Sequence, residues 1–152
     1  MELSTKKDIQ KIEGFINLKS FALVGASAEK KKFGNYILKA MVERGFKVYP
    51  IHRTASVVSG VKCYNSFDEL PEVPEGVIIV VPPKQSEIVV KQAAAAGVKN
   101  IWLQLGADSH AALTYCHANE INVINGECMM MFFRKPGFPH NLHRWMWGIG
   151  AH

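Results

Sequence analysis

The sequence predicts an α/β fold, with a doubly wound parallel sheet of about five to six strands and helices on both faces. Segments with strand and helix patterns alternate along the chain, which implies right-handed crossovers between parallel strands. The strand candidates at residues 21–24 and 77–81 are unbroken apolar runs. Such runs are typical of strands that helices cover on both faces.

The first half of the chain begins with a predicted helix over residues 5–16, whose isoleucines recur at helical spacing after a capping pattern. The strand at residues 21–24 follows and runs into the small-residue loop 25–27. Gly45 is expected in the left-handed conformation at the end of a second helix. The apolar face of that second helix is predicted from four residues, which are Ile37, Leu38, Met41 and Val42.

Two strands and a short helix follow in the middle of the chain. Residues 46–51 are predicted as a strand that Pro50 should end, because proline has no N–H for the ladder. Residues 60–64 read as a weaker strand. The pattern from Ser66 to Glu69 predicts a capping box that opens a brief helix.

The second half repeats the alternation, and turn residues punctuate it. Its strands are predicted at residues 77–81, 101–105 and 121–124, and its helices at 84–96 and from Asp108 or Ser109 to about 119. Pro82 and Pro83 should end the first of these strands, and Gly97 should end the helix after it. Asn125 and Gly126 predict a turn after the last strand.

Length and composition indicate a single domain over residues 1–152, with a core at about 5–130. The tail at 131–152 is rich in Met and aromatic residues, and we expect it to wrap over the sheet or over a second subunit, which makes a homodimer possible. The net charge is +5, but apart from Lys30 to Lys32 the lysines are scattered. We therefore expect an anionic small molecule as the partner and no nucleic acid.

The sequence also favours a compartment. No apolar run approaches the roughly 20 residues that a membrane helix needs, so no membrane association is predicted. Three widely spaced cysteines argue against a disulfide framework and favour the reducing cytoplasm. His140 and His143 have no paired cysteines or related motif around them, so no metal site is predicted.

The loop after the first strand predicts an anion site. Gly25, Ala26 and Ser27 leave room for phosphates to approach the backbone, and a helix N-terminus with unpaired N–H groups begins near Gly34. Ligands bind such sheets at the carboxyl ends of the strands, where the strand order reverses. If the order is 3-2-1-4-5, the loop at 25–27 meets those at residues 50–53 and 81–83.

The residues narrow the choice of cofactor to two. The chain lacks the G-x-G-x-x-G pattern, and no carboxylate closes the second strand to hold a ribose hydroxyl, so NAD is disfavoured. Arg53 at that position suits a ribose phosphate instead. Coenzyme A carries a 3′-phosphate and NADP a 2′-phosphate, and both fit this reasoning.

Several motifs resemble those of the CoA-binding domain family, small stand-alone proteins similar to the N-terminal domain of the succinyl-CoA synthetase alpha subunit. The motifs are VGAS at 24–27, GFKVYP at 45–50, VPP at 81–83, GVKNIWLQLG at 97–106 and Cys128. The resemblance covers about residues 5–130 and implies a Rossmann-like fold, with coenzyme A lying across the switch point. The chain departs from the family at Ile51-His52-Arg53, where Val-Asn-Pro is usual, and at Gly126-Glu127 before the cysteine.

The resemblance also implies which residues bind the coenzyme, from its diphosphate to its far end. Gly25, Ala26, Ser27, Lys32, Gly34 and Asn35 would meet the diphosphate. His52 and Arg53 would lie near the adenosine phosphate. Val81, Pro82 and Pro83 would flank the adenine or pantetheine, and Gln104 and Gly106 would face the same cleft.

No arrangement of residues at recognisable spacing supports nucleophilic catalysis. The sequence therefore predicts a protein that binds coenzyme A or acyl-CoA, without an obvious catalytic centre and more as a binding domain than as an enzyme. Two alternatives stay open: an NADP-dependent oxidoreductase, and a nucleotide-binding subunit that serves assembly.

Overall fold

The computed structural model describes residues 6–27 and 33–130. Within them a five-stranded sheet has the order β2-β1-β5-β6-β7, with every neighbouring pair parallel. A two-stranded antiparallel hairpin, β3-β4, stands beside it. The elements are α1 Lys6–Ile16, β1 Ser20–Val24, α2 Phe33–Glu43, β2 Lys47–Ile51, β3 Val57–Val58, β4 Val61–Lys62, β5 Gly76–Ile79, α3 Pro83–Ala95, β6 Asn100–Gln104, α4 His110–Ala118 and β7 Asn122–Glu127, with a 3-10 turn at Phe67–Glu69.

The predicted parallel sheet with helices on both faces is confirmed. Side chains alternate along β1, so Phe21 and Leu23 pack with α1 and α2, whereas Ala22 packs with α3 and α4. On the first face, the ring of Phe15 contacts those of Phe21 and Trp102, each at a centroid distance of 5.4 Å. Each face of the sheet therefore carries its own apolar core.

The predicted third strand at residues 60–64 is confirmed in part, because β4 covers Val61–Lys62 but pairs with β3 outside the main sheet. Ser59 and Gly60 both have positive φ, 51° and 78°, and this backbone forms a tight hairpin. The hairpin directs β4 back onto β3 instead of into the main sheet. Tyr64 reaches β2, where it makes a parallel bridge to Ile51.

The predicted end of the last strand was wrong. β7 continues to Glu127, through the expected turn. Trp102 pairs with Ile124, and two residues later Gln104 pairs with Glu127, so β7 carries one extra residue. Gly126 accommodates that bulge, because its φ of 76° is open to glycine.

Three smaller predictions differ from the structure. β2 ends at Ile51 as predicted, but Pro50 lies within the strand, where it pairs in register with Leu23. Val42 is 44% exposed, since it lies about 100° round the helix from the buried Met41. Ser66 makes no side-chain cap to the backbone of the 3-10 turn.

The predicted helix ends at Gly45 and Gly97 and the predicted helix cap at Ser109 are confirmed. Gly45 and Gly97 have φ of 82° and 95° after their helices, and Ser109 caps α4 by accepting the N–H of Ala112 at 3.1 Å.

The described part of the chain contains no helix with the length and apolarity to cross a bilayer. Lys32 and the tail at 131–152, with the dimer expected from it, lie outside the described residues.

Candidate functional site

A cleft of about 440 Å³ opens at the carboxyl edge of the sheet, where β1 lies between β2 and β5. Val24 and Ala26 reach it from β1, residues 51–53 from β2, and Val81 from the segment after β5. The three loops that the sequence predicted to converge therefore do meet. Crossovers to opposite faces of the sheet leave a crevice at this point, the usual ligand position in such folds.

Helix α3 forms one wall of the cleft. It presents Gln85, Ile88, Val89 and Gln92 to it. A smaller pocket of about 270 Å³ shares Ile51, Asn65 and Gln92 with the cleft, and extends it toward the 3-10 turn. The combined groove has an apolar wall with amide groups along it. This mixture suits a ligand with a flat ring and an extended chain.

The loop at residues 25–27 packs backbone against backbone. Gly25 has a φ of 128°, and a Cβ there would lie 2.7 Å from the carbonyl carbon of Val80. A Cβ on Gly34 would lie 2.7 Å from the carbonyl carbon of Gly25. The first turn of α2 therefore sits directly on the loop, and neither position has space for a larger residue.

The side chain of Asn35 holds this loop in place. Its Oδ1 accepts the N–H of Ser27 at 2.7 Å, and its Nδ2 donates to the carbonyl oxygen of Ser27 at 2.7 Å. The same Nδ2 lies 3.3 Å from the Oγ of Ser59, at the tip of the β3-β4 hairpin. Asn35 is only 4% exposed, so its amide has partners at both ends within the protein.

The turn after β2 is held from two sides. The Nδ1 atom of His52 accepts the N–H groups of Thr54 and Ala55, at 3.1 and 2.9 Å. Asn65 donates to the carbonyl oxygens of His52 and Arg53, at 2.9 and 3.3 Å. Because Nδ1 is an acceptor, the ring of neutral His52 carries its proton on Nε2. The exposed Arg53 thus places a cation at the cleft from a fixed turn.

Some predicted site residues lie apart from the cleft wall. Gln104 is 2% exposed; its Nε2 donates to the Sγ of Cys128 at 2.9 Å, and its Oε1 accepts the N–H of Met129 at 3.0 Å. It therefore joins the ends of β6 and β7. Gly106 lies in the turn after β6, with a φ of 94°. Pro82 caps α3 and Pro83 begins it, so of the predicted trio only Val81 lines the cleft.

The sequence reasoning missed the residues of α3 that line the cleft. The signal was available, since residues 85, 88, 89 and 92 recur at i, i+3, i+4 and i+7 and so share one helical face. Asn65 carried no comparable signal, because its role depends on a contact with the turn 13 residues before it.

The described residues also form a second cavity, which is a weaker candidate for the ligand site than the cleft. A cavity of about 390 Å³ lies between α1 and β7, next to Asn100 and Asn122 at the amino ends of their strands. That is the opposite edge from the one where such sheets bind ligands. Across residues 6–27 and 33–130, no three His, Cys, Asp or Glu side chains group as a metal site requires.

Comparison with known proteins gives one consistent result. The profile of a family described as "CoA binding domain" matches residues 19–134. The alpha subunit of an ADP-forming acetate–CoA ligase II from Pyrococcus furiosus is 36% identical over 91 residues, which are 59% of this chain but only 20% of that subunit.

Solved structures agree with this match. A conserved hypothetical protein from Pyrococcus furiosus has 38% identity and a TM-score of 0.70, over 74% of this chain and 97% of that one. A hypothetical protein from Pyrococcus horikoshii has 28% identity and a TM-score of 0.75, over 97% of this chain and all of that one. The chain is therefore similar to proteins of its own size and to part of a much longer ligase subunit.

Proposed function

The chain belongs to the CoA-binding domain family, and we propose that its cleft at the carboxyl edge of β1, β2 and β5 binds coenzyme A or an acyl-CoA. The observation that carries the proposal is the convergence of the tight loop at 25–27, the Arg53 turn and Val81 on one groove. A pyrophosphate, a ribose phosphate and an apolar chain can each meet suitable groups there.

The placement of the coenzyme follows from the chemistry of each part of the groove. The diphosphate lies at residues 25–27, beside the first turn of α2. The 3′-phosphate of the ribose lies at Arg53, whose guanidinium can form charge-assisted hydrogen bonds to it. The adenine and the pantetheine lie along Val81 and the α3 wall, where Ile88 offers a 59% exposed apolar surface.

We assign the described residues a binding role. The related acetate–CoA ligase subunit is about five times the length of the matched region, which covers 20% of it. In our proposal this chain supplies the coenzyme site, and any acyl transfer depends on residues outside it. The free thiols Cys63, Cys116 and Cys128 are consistent with the reducing cytoplasm that the sequence predicts.

Calorimetric titration with coenzyme A, dephospho-coenzyme A, NADP and ATP tests the proposal. We expect coenzyme A to bind most tightly. Arg53→Ala should weaken coenzyme A by about tenfold, because a hydrogen bond to a charged group contributes about 1.5 kcal/mol. Dephospho-coenzyme A, which lacks the 3′-phosphate, should lose little.

The matched control is Lys99→Ala, which removes the same charge from an exposed side chain just before β6, at the opposite edge of the sheet. It should leave both affinities unchanged. Equal losses for the two ligands in Arg53→Ala would separate Arg53 from the phosphate. Tighter binding of NADP than of coenzyme A would refute the proposed function.

A further inference from the structure

We propose that Asn35 is a positioning residue for the diphosphate of the ligand, and that it makes the β3-β4 hairpin part of the same binding unit. This inference rests on the proposed function, because it concerns how the coenzyme site is shaped. Asn35 acts through Ser27, since it binds both the N–H and the carbonyl group of that residue.

The contact between Asn35 and Ser27 imitates a pair of strands. Both atoms of the side-chain amide pair with the N–H and the carbonyl oxygen of one residue, each at 2.7 Å. A buried amide with both ends satisfied is stable, whereas an unpaired one costs free energy. A helix residue therefore fixes the backbone on both sides of Ser27 before any ligand arrives.

The helix also packs directly on the loop. Gly34, the residue before Asn35, packs against the backbone of Gly25, and a Cβ there would lie within 3.0 Å of the Ala26 nitrogen. The loop is held by packing at Gly25 and by hydrogen bonds at Ser27. A loop that is rigid in its bound form loses less entropy on binding, so the fixed geometry increases affinity.

The third hydrogen bond extends this unit to the hairpin. The Nδ2 of Asn35 reaches the Oγ of Ser59, the first residue of the β3-β4 turn, at 3.3 Å. Ser59 adopts a φ of 51°, a left-handed conformation that is uncommon for residues other than glycine. The hairpin tip therefore contacts the side chain that holds the phosphate loop, although it lies outside the main sheet.

The test uses Asn35→Asp, Asn35→Ala and Ser59→Gly in the full chain. Asn35→Asp keeps the shape but replaces the donor with an oxygen that repels the carbonyl of Ser27. Ser59→Gly removes only the hairpin contact and suits the positive φ. The ligands are coenzyme A and adenosine 3′-monophosphate, which keeps the base and the 3′-phosphate but lacks the diphosphate. Affinities come from NMR titration.

We expect Asn35→Asp to lower the affinity for coenzyme A by about tenfold or more, since the buried carbonyl of Ser27 loses its donor. The affinity for adenosine 3′-monophosphate should change by less than about twofold, because this ligand does not touch the loop. The affinity of Ser59→Gly for coenzyme A should lie between those of Asn35→Asp and the parent. Amide exchange at Ser27, slow in the ligand-free parent, should accelerate in Asn35→Ala, because this variant removes the oxygen that accepts the Ser27 N–H.

Equal weakening of both ligands would overturn the positioning role, because it would make Asn35 a general scaffold residue. Unchanged exchange at Ser27 in Asn35→Ala would overturn it as well, even if that variant binds poorly. If Asn35→Asp does not fold, Ser59→Gly still decides, since an unchanged ratio of the two affinities would contradict the hairpin's part in the unit. A parent that shows slow exchange at Ser27 but binds no coenzyme A refutes the proposed function instead.

Discussion

Gly34→Ala should destabilise the protein, although alanine is the better helix former. The new Cβ would lie 2.7 Å from the carbonyl carbon of Gly25 and 3.0 Å from the nitrogen of Ala26, and both are backbone atoms that cannot rotate away. Such overpacking costs about 3 kcal/mol at the upper end of its usual range. The gain in helix propensity returns about 1 kcal/mol, so the net loss is about 2 kcal/mol.

Thermal unfolding followed by circular dichroism measures this loss. In a chain of this size 1 kcal/mol shifts Tm by about 2–4 °C, so Gly34→Ala should lower Tm by roughly 4–8 °C. The control is Gly14→Ala in α1, where a new Cβ meets nothing within 4 Å. There the propensity gain acts alone and should raise Tm by about 1–4 °C. A rise of similar size in both variants would refute the packing of α2 on the loop.

Two further predictions concern ionisation. Hydrogen bonds from Lys47 and then Tyr49 lower the pKa of Glu72, so its stabilising contribution is present above the pKa that it has in the unfolded chain and is lost as the pH falls through the lowered one. Glu72→Gln should therefore unfold more readily than the parent in urea at pH 7, and a gap that persists undiminished in acid would contradict this. Burial raises the pKa of the Cys116 thiol to about 11, so iodoacetamide at pH 8 should modify the half-buried Cys128 in the native protein and Cys116 only after unfolding. Equal rates at the two thiols would show that Cys116 is not enclosed.

The local pattern of the sequence predicted the sheet because each element carries its own signal. Apolar runs in β1 and β5 and the glycines at 45 and 97 depend on neighbours within a few residues. Convergence of the loops then follows from topology alone, since the carboxyl ends of parallel strands share an edge.

The predictions that failed concern features that depend on contacts between residues distant in sequence. The bulge at Gly126 exists because Gln104, more than twenty residues earlier, pairs across it and binds the chain beyond it. Likewise, nothing beside Asn35 in the sequence indicates that its amide holds Ser27 and Ser59. The resemblance to the CoA-binding domain family implied that Gln104 and Asn35 lie near the site, but only the fold assigns their partners.

The site of coenzyme A binding is the central claim, and mapping amide chemical shifts during a titration with coenzyme A tests it most directly. We predict that the largest changes fall at residues 25–27, 51–53 and 81 and along the exposed face of α3. The chemical shifts of the amides beside the cavity between α1 and β7 should not change. Changes concentrated at that cavity, with the carboxyl edge unaffected, would contradict the account.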